Sequence, residues 1–211
     1  MELEKKFIFS HVPKCGGKSL KASFIEYFGE EKVLFHWNDP FENSKYLYFL
    51  RRLYYYPILK KNTLNKKLIF GHFSFNDIPK IKNSSLVTFI RDPIEIFGSM
   101  YFYAQRKYKD KSPKDYIEFA KYKNFGTIYK RFFGNLDIKK IDFIGSLEDY
   151  SDSISRLNKK FNLNLKTKKV NTNPSSIKDY KSFFKEENVY KKLIEINKEN
   201  IEIYNNLKNH I

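Results

Sequence analysis

The stretch FIFSHVPKCGGKSLKASF, residues 7–24, decides the fold. It opens with β-branched and aromatic residues that predict a strand, and Pro13 stops that strand. Leu20, Phe24, Ile25 and Phe28 then follow at helical spacing, and Gly29 marks a helix stop. Between strand and helix lies PKCGGKS, residues 13–19. Glycines let a backbone approach an anion closely, and the following helix offers unpaired N–H groups and the positive end of its dipole. Lys14 and Lys18 add ammonium groups and Ser19 a hydroxyl. The segment therefore predicts either a phosphate-binding loop or a tight Gly-Gly turn with solvated lysines.

Downstream, the same alternation repeats. KVLFHW (32–37), KKLIFGHF (66–73), SSLVTFIRD (84–92) and KIDFIGSLEDY (140–150) read as strands. Helices are expected over 44–61 with a break near Pro57, from Pro93 onward, over 114–123, at 127–133, over 148–161, and as one or two helices between 177 and 207. Asp92 is a good N-cap and Pro93 suits the first helical position. Short apolar strands alternating with helices predict an α/β fold, a single domain over 1–211, with a parallel sheet covered on both faces. Ligands of such sheets bind at the carboxyl ends of the strands. The loops to watch are 13–19, 71–77, 91–93 and 145–149.

With 211 residues, 41% hydrophobic and 18% aromatic, the chain can bury a full core. Its net charge of +16 favours anionic partners, although most of the basic residues are Lys, as compositional drift also produces. The one cysteine, Cys15, excludes an intramolecular disulfide, and no cysteine cluster offers a zinc site. No stretch approaches the length of a membrane span, so a soluble, cytoplasmic protein is expected, or a fragment whose anchor was removed.

Three further residues carry chemistry. Arg91 leaves the most apolar strand at its carboxyl end, where it either grips a phosphate with paired hydrogen bonds or pairs with Asp92 or Glu95. Ser99 lies about two turns past Asp92 on the same helix face. His72 follows a strand and is either a hydrogen-bonded structural residue or a proton acceptor. Gly17-Lys18-Ser19 matches the end of the triphosphate-loop pattern, but its first glycine position is Val12 and Pro13 follows. A kinase or NTPase using ATP and magnesium is therefore the second choice. A basic nucleic-acid-binding module ranks third, because no such motif is present.

Three elements in this order resemble one family. FIFSHVPKCGGKSL resembles the 5′-phosphosulfate loop of sulfotransferases that use 3′-phosphoadenosine 5′-phosphosulfate (PAPS). VTFIRDPIEIFGSMY resembles their 3′-phosphate motif, and GHFSF resembles the segment with the catalytic His in the carbohydrate 2-O-sulfotransferase branch. FIGSLEDYSDSI and KKVNTNPSS also fit, so the resemblance spans roughly residues 6–208. It implies a three-layer sandwich with a central parallel sheet, related to P-loop kinases. It also implies a PAPS donor that leaves as 3′,5′-ADP (PAP), with no metal in the reaction. Carried over, Lys14 steadies the leaving phosphate, and Cys15, Gly16, Gly17, Lys18 and Ser19 hold it. Arg91 and Ser99 take the 3′-phosphate, His72 is the general base, and Lys169, Asn171, Thr172 and Asn173 lie in a closing loop. The implied acceptor is a hydroxyl, most simply of a glycan. Trp37, Tyr46, Tyr54 to Tyr56, Tyr101 and Tyr103 are candidate sugar-stacking residues or core packing. Cys15 and Lys18 depart from the family pattern, which usually has Thr at the first position and Thr or Ser at the second. Sulfuryl transfer needs no covalent cysteine.

Overall fold

A computed structural model describes residues 5–36, 58–108, 112–122, 124–134, 136–168, 170 and 179–211. Strand β1 (Lys6–His11) leads through the glycine loop into helix α1 (Gly17–Phe28). Gly29 ends α1 at φ 84, a left-handed value, as its position in the sequence predicts. Then come β2 (Val33–Phe35), β3 (Leu68–Gly71), β4 (Ser84–Ile90), α2 (Pro93–Tyr108), α3 (Tyr116–Tyr122), α4 (Ile128–Phe133) and β5 (Phe143–Ser146). The chain continues through α5 (Tyr150–Phe161), α6 (Tyr180–Glu186), α7 (Tyr190–Ile196) and α8 (Lys198–Lys208). The helix expected over 44–61 lies outside the described residues except for a helical turn at 58–62.

All strand pairs are parallel, in the order β2-β3-β1-β4-β5. This is the expected α/β architecture, a parallel sheet flanked by helices. Alternation along β1 explains the layers. Phe7 and Phe9 point toward α1 and α5, where Phe9 meets Phe24 at 5.7 Å between ring centroids and Phe7 meets Phe161 at 5.2 Å. Phe9 also stacks on Phe70 and Phe89, which joins three strands through one aromatic row. On the other face Ser10 donates to the Phe73 carbonyl at 2.5 Å and Thr88 donates to the Ser10 carbonyl at 2.8 Å. Both buried hydroxyls are thus satisfied.

The C-terminal segment forms three helices where one or two were expected. Asn188 adopts a left-handed φ of 57 and ends α6. Asn197, fully buried, sits between α7 and α8, donating from its side chain to the Leu193 carbonyl and accepting from Asn200. Asparagine tolerates the left-handed turn and competes for backbone groups, so it breaks a helix that apolar spacing alone would continue. Helix α5 begins at Tyr150, two residues later than expected, because Glu148 is engaged with Ser146 and with the Asp92 amide. Among the described residues, no helix is long and apolar enough to cross a membrane.

Candidate active site

The carboxyl ends of β1, β3 and β4 lie side by side. His11 pairs with Phe89 in register and Ser10 with Gly71, so the loops starting at Val12, His72 and Arg91 leave the sheet together. Chain order reverses around β1, which opens the crevice where α/β sheets bind ligands.

The glycine loop turns tightly. The Cys15 amide donates to the Val12 carbonyl at 3.2 Å, and Lys14 and Gly16 are both left-handed, at φ 65 and φ 77. A left-handed lysine costs on the order of 1 kcal/mol, and such outliers collect at functional sites. At Gly17 a Cβ would stand 2.0 Å from the His11 ring. The first intrahelical bond of α1 runs from the Leu20 amide to Gly16. The amides of Gly17, Lys18 and Ser19 therefore have no intrahelical acceptor, and no acidic residue occupies the first turn. The Ser19 hydroxyl accepts from the Val170 amide at 3.1 Å. This contact joins the loop to the segment whose Lys169, Asn171, Thr172 and Asn173 lie outside the described residues.

Cys15 departs from the other loop residues. Its side chain is fully buried, and burial pushes its thiol up far enough that no thiolate forms near neutral pH. The Cys15 amide is already used inside the turn, so the donors that remain toward the crevice are those of Gly16 to Ser19. Lys18 is exposed.

Lys14 points across the crevice to α2, with its ammonium 4.3 Å from the centre of the Tyr103 ring. Burial, and then Arg106, Arg91 and Lys18 in that order, lower its pKa to about 8. Four cations from two loops and two helices thus gather at one place. The sign of the linkage follows from the direction of this shift. The ammonium is lost as pH rises through about 8, and a bound anion pulls the pKa back up. Anion affinity should therefore fall by up to ~10-fold per pH unit above that point, with proton uptake on binding. Calorimetric titration with 3′,5′-ADP in two buffers of different ionisation enthalpy measures the uptake. Equal heats in both buffers would remove Lys14 from the site.

Of the alternatives open to Arg91, the structure shows the pairing with Glu95. Its guanidinium pairs with Glu95 at 3.1 Å, a contact that engages one of its five N–H donors. Its backbone is held by Tyr129, whose hydroxyl accepts from the Arg91 amide at 2.9 Å and donates to the Arg91 carbonyl at 2.5 Å. Asp92 caps α2 by accepting from the Ile94 amide and pairs with Lys181. Burial raises the pKa of Glu95, against the pull of Arg91. Ser99 is half-buried on α2. Tyr103 and Arg106 follow it at i+4 and i+7, on the same face that Lys14 meets.

His72 is half-buried, with its Nδ1 2.6 Å from the His11 carbonyl. A carbonyl can only accept, so Nδ1 carries the hydrogen and the basic lone pair of the neutral ring is on Nε2. Its ring stacks on His11 at 4.5 Å, and His11 in turn touches Gly17. His72 is therefore one ring away from the glycine loop. Burial, then His72, holds the pKa of His11 far below its usual range, so no charge forms beneath the loop.

Sequence reasoning missed Tyr103's contact with Lys14, together with Arg106, Tyr129 and Glu148. The spacing from Ser99 could have found the first two. Nothing in the local sequence marks Tyr129, which reaches Arg91 from 38 residues away. Trp37, Tyr46 and Tyr54 to Tyr56 lie outside the described residues, and Tyr101 is core, buried against Phe97 and Phe119.

No family model matches the chain, and no curated protein matches it. Among solved structures it is similar to mouse sulfotransferase SULT7A1 complexed with PAP. The TM-score is 0.55 and the identity 14%, over 98% of this chain and 89% of that one. A sulfotransferase from Alicyclobacillus acidocaldarius aligns at TM-score 0.44 and 10% identity, over 94% of this chain and 96% of that one. The chain has the P-loop-kinase-like fold of the sulfotransferases.

Proposed function

We propose that this chain is a sulfotransferase that moves the sulfuryl group of PAPS to an acceptor hydroxyl, most simply of a carbohydrate. One observation carries the reading: Lys14, Lys18, Arg91 and Arg106 gather beside the uncapped start of α1. A nucleotide phosphorylated at both 3′ and 5′ positions needs two separate anion grips. Lys14 and the amides from Gly16 to Ser19, with Lys18, suit the 5′ end, while Arg91 and Ser99 suit the 3′-phosphate. Cys15 contributes to this loop by its fold rather than its sulfur. Lys169, Asn171, Thr172 and Asn173 are assigned to the closing loop by resemblance alone.

PAPS supplies a sulfuryl group whose S–O bond to the 5′-phosphate breaks as the acceptor oxygen attacks sulfur. His72 Nε2 takes the hydroxyl proton. Lys14 and the α1 amides stabilise the charge that develops on the departing phosphate oxygen. Positioning and charge stabilisation dominate such group transfers.

Thermal shift tests the donor site. Stabilisation by 3′,5′-ADP in the presence of chelator, exceeding that by ATP–Mg²⁺ or an oligonucleotide, is expected. At a ligand concentration of 100 Kd the gain is ~2.7 kcal/mol. Arg91→Ala should remove most of this gain. A chain stabilised only by ATP–Mg²⁺ is a kinase instead, and a steeply salt-dependent response to the oligonucleotide alone points to nucleic acid.

A further inference from the structure

One face of α1 carries a strap that ends at the glycine loop. Ser19, Ser23 and Glu26 stand at i, i+4 and i+7 on that face, about 10 Å apart from first to last. Each holds the chain that leaves α5. That chain starts fixed, since the Asn158 side chain accepts from the Leu165 amide and donates to the Leu165 carbonyl, both at 2.9 Å. The buried Ser23 hydroxyl then donates to the Lys166 carbonyl at 2.7 Å. Glu26 meets the Lys166 ammonium at 2.8 Å with one carboxylate oxygen and the Lys168 ammonium with the other. Val170 ends the row with its amide on the Ser19 hydroxyl. Extended backbone covers about 13 Å in four residues, enough to run from Lys166 to Val170 along the whole row.

Ser19 joins this row to the proposed phosphate grip. Its oxygen accepts from Val170, and its own hydrogen has no acceptor among the described residues. A hydroxyl that donates to an anion becomes a stronger acceptor, so a phosphate on Ser19 tightens the Val170 contact. Linkage is reciprocal: whatever holds Val170 in place strengthens the grip on the phosphate by the same factor. Hydrogen bonds from Lys166, then Lys168, lower the pKa of Glu26 to about 2, so this carboxylate keeps its charge throughout the ordinary pH range.

We infer that Ser23 and Glu26 are positioning residues for the donor that act through Ser19: they clamp the strap onto α1, so that docking of the strap and capture of the 5′-phosphate are one coupled event. This rests on the sulfotransferase reading, and neither residue touches the donor. The sign of the effect sets the clamp apart from plain electrostatics. Glu26 is a negative charge about two turns from an anion site. By its field alone, removing it should improve anion binding. Through the clamp, removing it weakens binding.

Calorimetric titration with 3′,5′-ADP reads that sign. Glu26→Gln should bind about threefold more weakly or worse, the worth of two exposed ion pairs, and should release the ligand faster in stopped flow. Glu30→Gln removes the same charge one turn further on and should bind as tightly as wild type or slightly more tightly. Glu26→Lys should be the weakest binder, and Lys168→Glu added to it should restore part of the affinity. Hydrogen exchange reads the coupling itself: 3′,5′-ADP should slow exchange of the Val170 amide in wild type more than in Glu26→Gln. Unchanged or tighter binding by Glu26→Gln, whether or not its melting temperature falls, overturns the clamp. So does a Val170 amide whose exchange ignores the ligand. A wild type that does not bind 3′,5′-ADP overturns the donor reading, and the clamp falls with it.

Discussion

Replacing His72 with alanine is expected to lower sulfuryl transfer by ~10²–10⁴-fold, the usual worth of a positioned general base. Affinity for 3′,5′-ADP should be unchanged, because no grip on the donor passes through this side chain. The expectation rests on geometry. His72 leaves β3 beside the end of β1, its Nδ1 is committed to the His11 carbonyl, and its ring is held flat against the His11 ring. A base fixed in one tautomer and one orientation suits proton transfer better than a free imidazole. A single-turnover measurement with labelled PAPS isolates the chemical step. Full turnover by the variant would remove His72 from that role, and a parallel loss of 3′,5′-ADP binding would make it a structural residue of the loop.

Gly17→Ala should be the most damaging small change in the glycine loop. The added methyl would stand 2.0 Å from two atoms of the His11 ring. That ring cannot swing aside, since Phe70 stacks with it at 5.5 Å and His72 at 4.5 Å. The start of α1 must move instead. Overpacking of this kind costs about 1–3 kcal/mol, and in a chain of this size each kcal/mol lowers Tm by roughly 2–4 °C. The larger effect is on function. The amides of Gly17, Lys18 and Ser19 lose their common direction, so the stabilisation by 3′,5′-ADP should vanish even where the variant is folded. Gly17→Ala combined with His11→Ala removes the clash and should restore part of that stabilisation. A Gly17→Ala chain that responds to 3′,5′-ADP like the wild type would show that the helix start is not the anion site.

Much of the fold was readable because parallel strands buried on both faces must be continuously apolar. SSLVTFI and KLIF are such runs, and both become strands within a residue or two of the expected ends. The loop at residues 13–19 was readable for a related reason, since a strand, a glycine pair and a helix leave the backbone few alternatives. The C-terminal helices were harder. Apolar spacing predicts one or two helices between 177 and 207, and the left-handed Asn188 together with the buried contacts of Asn197 with Leu193 and Asn200 explains the breaks into three. Helical spacing reports which face is buried, whereas helix ends depend on side chains meeting particular backbone groups.

What the sequence determined by itself was local: the parallel α/β class, the glycine turn, the Asp92 cap and the residues available at each strand end. Tertiary structure decided which of them meet. It placed Lys14 on Tyr103, hung Arg91 from the hydroxyl of Tyr129, and laid His72 against His11 above Gly17. It also turned Cys15 inward, so that the loop's most reactive atom is its least available. The physical reason is one of range. Backbone propensity acts over a few residues, whereas the charges acting on Lys14 are chiefly Arg106 and Arg91, which the pairing of β4 beside β1 and the run of α2 bring near it.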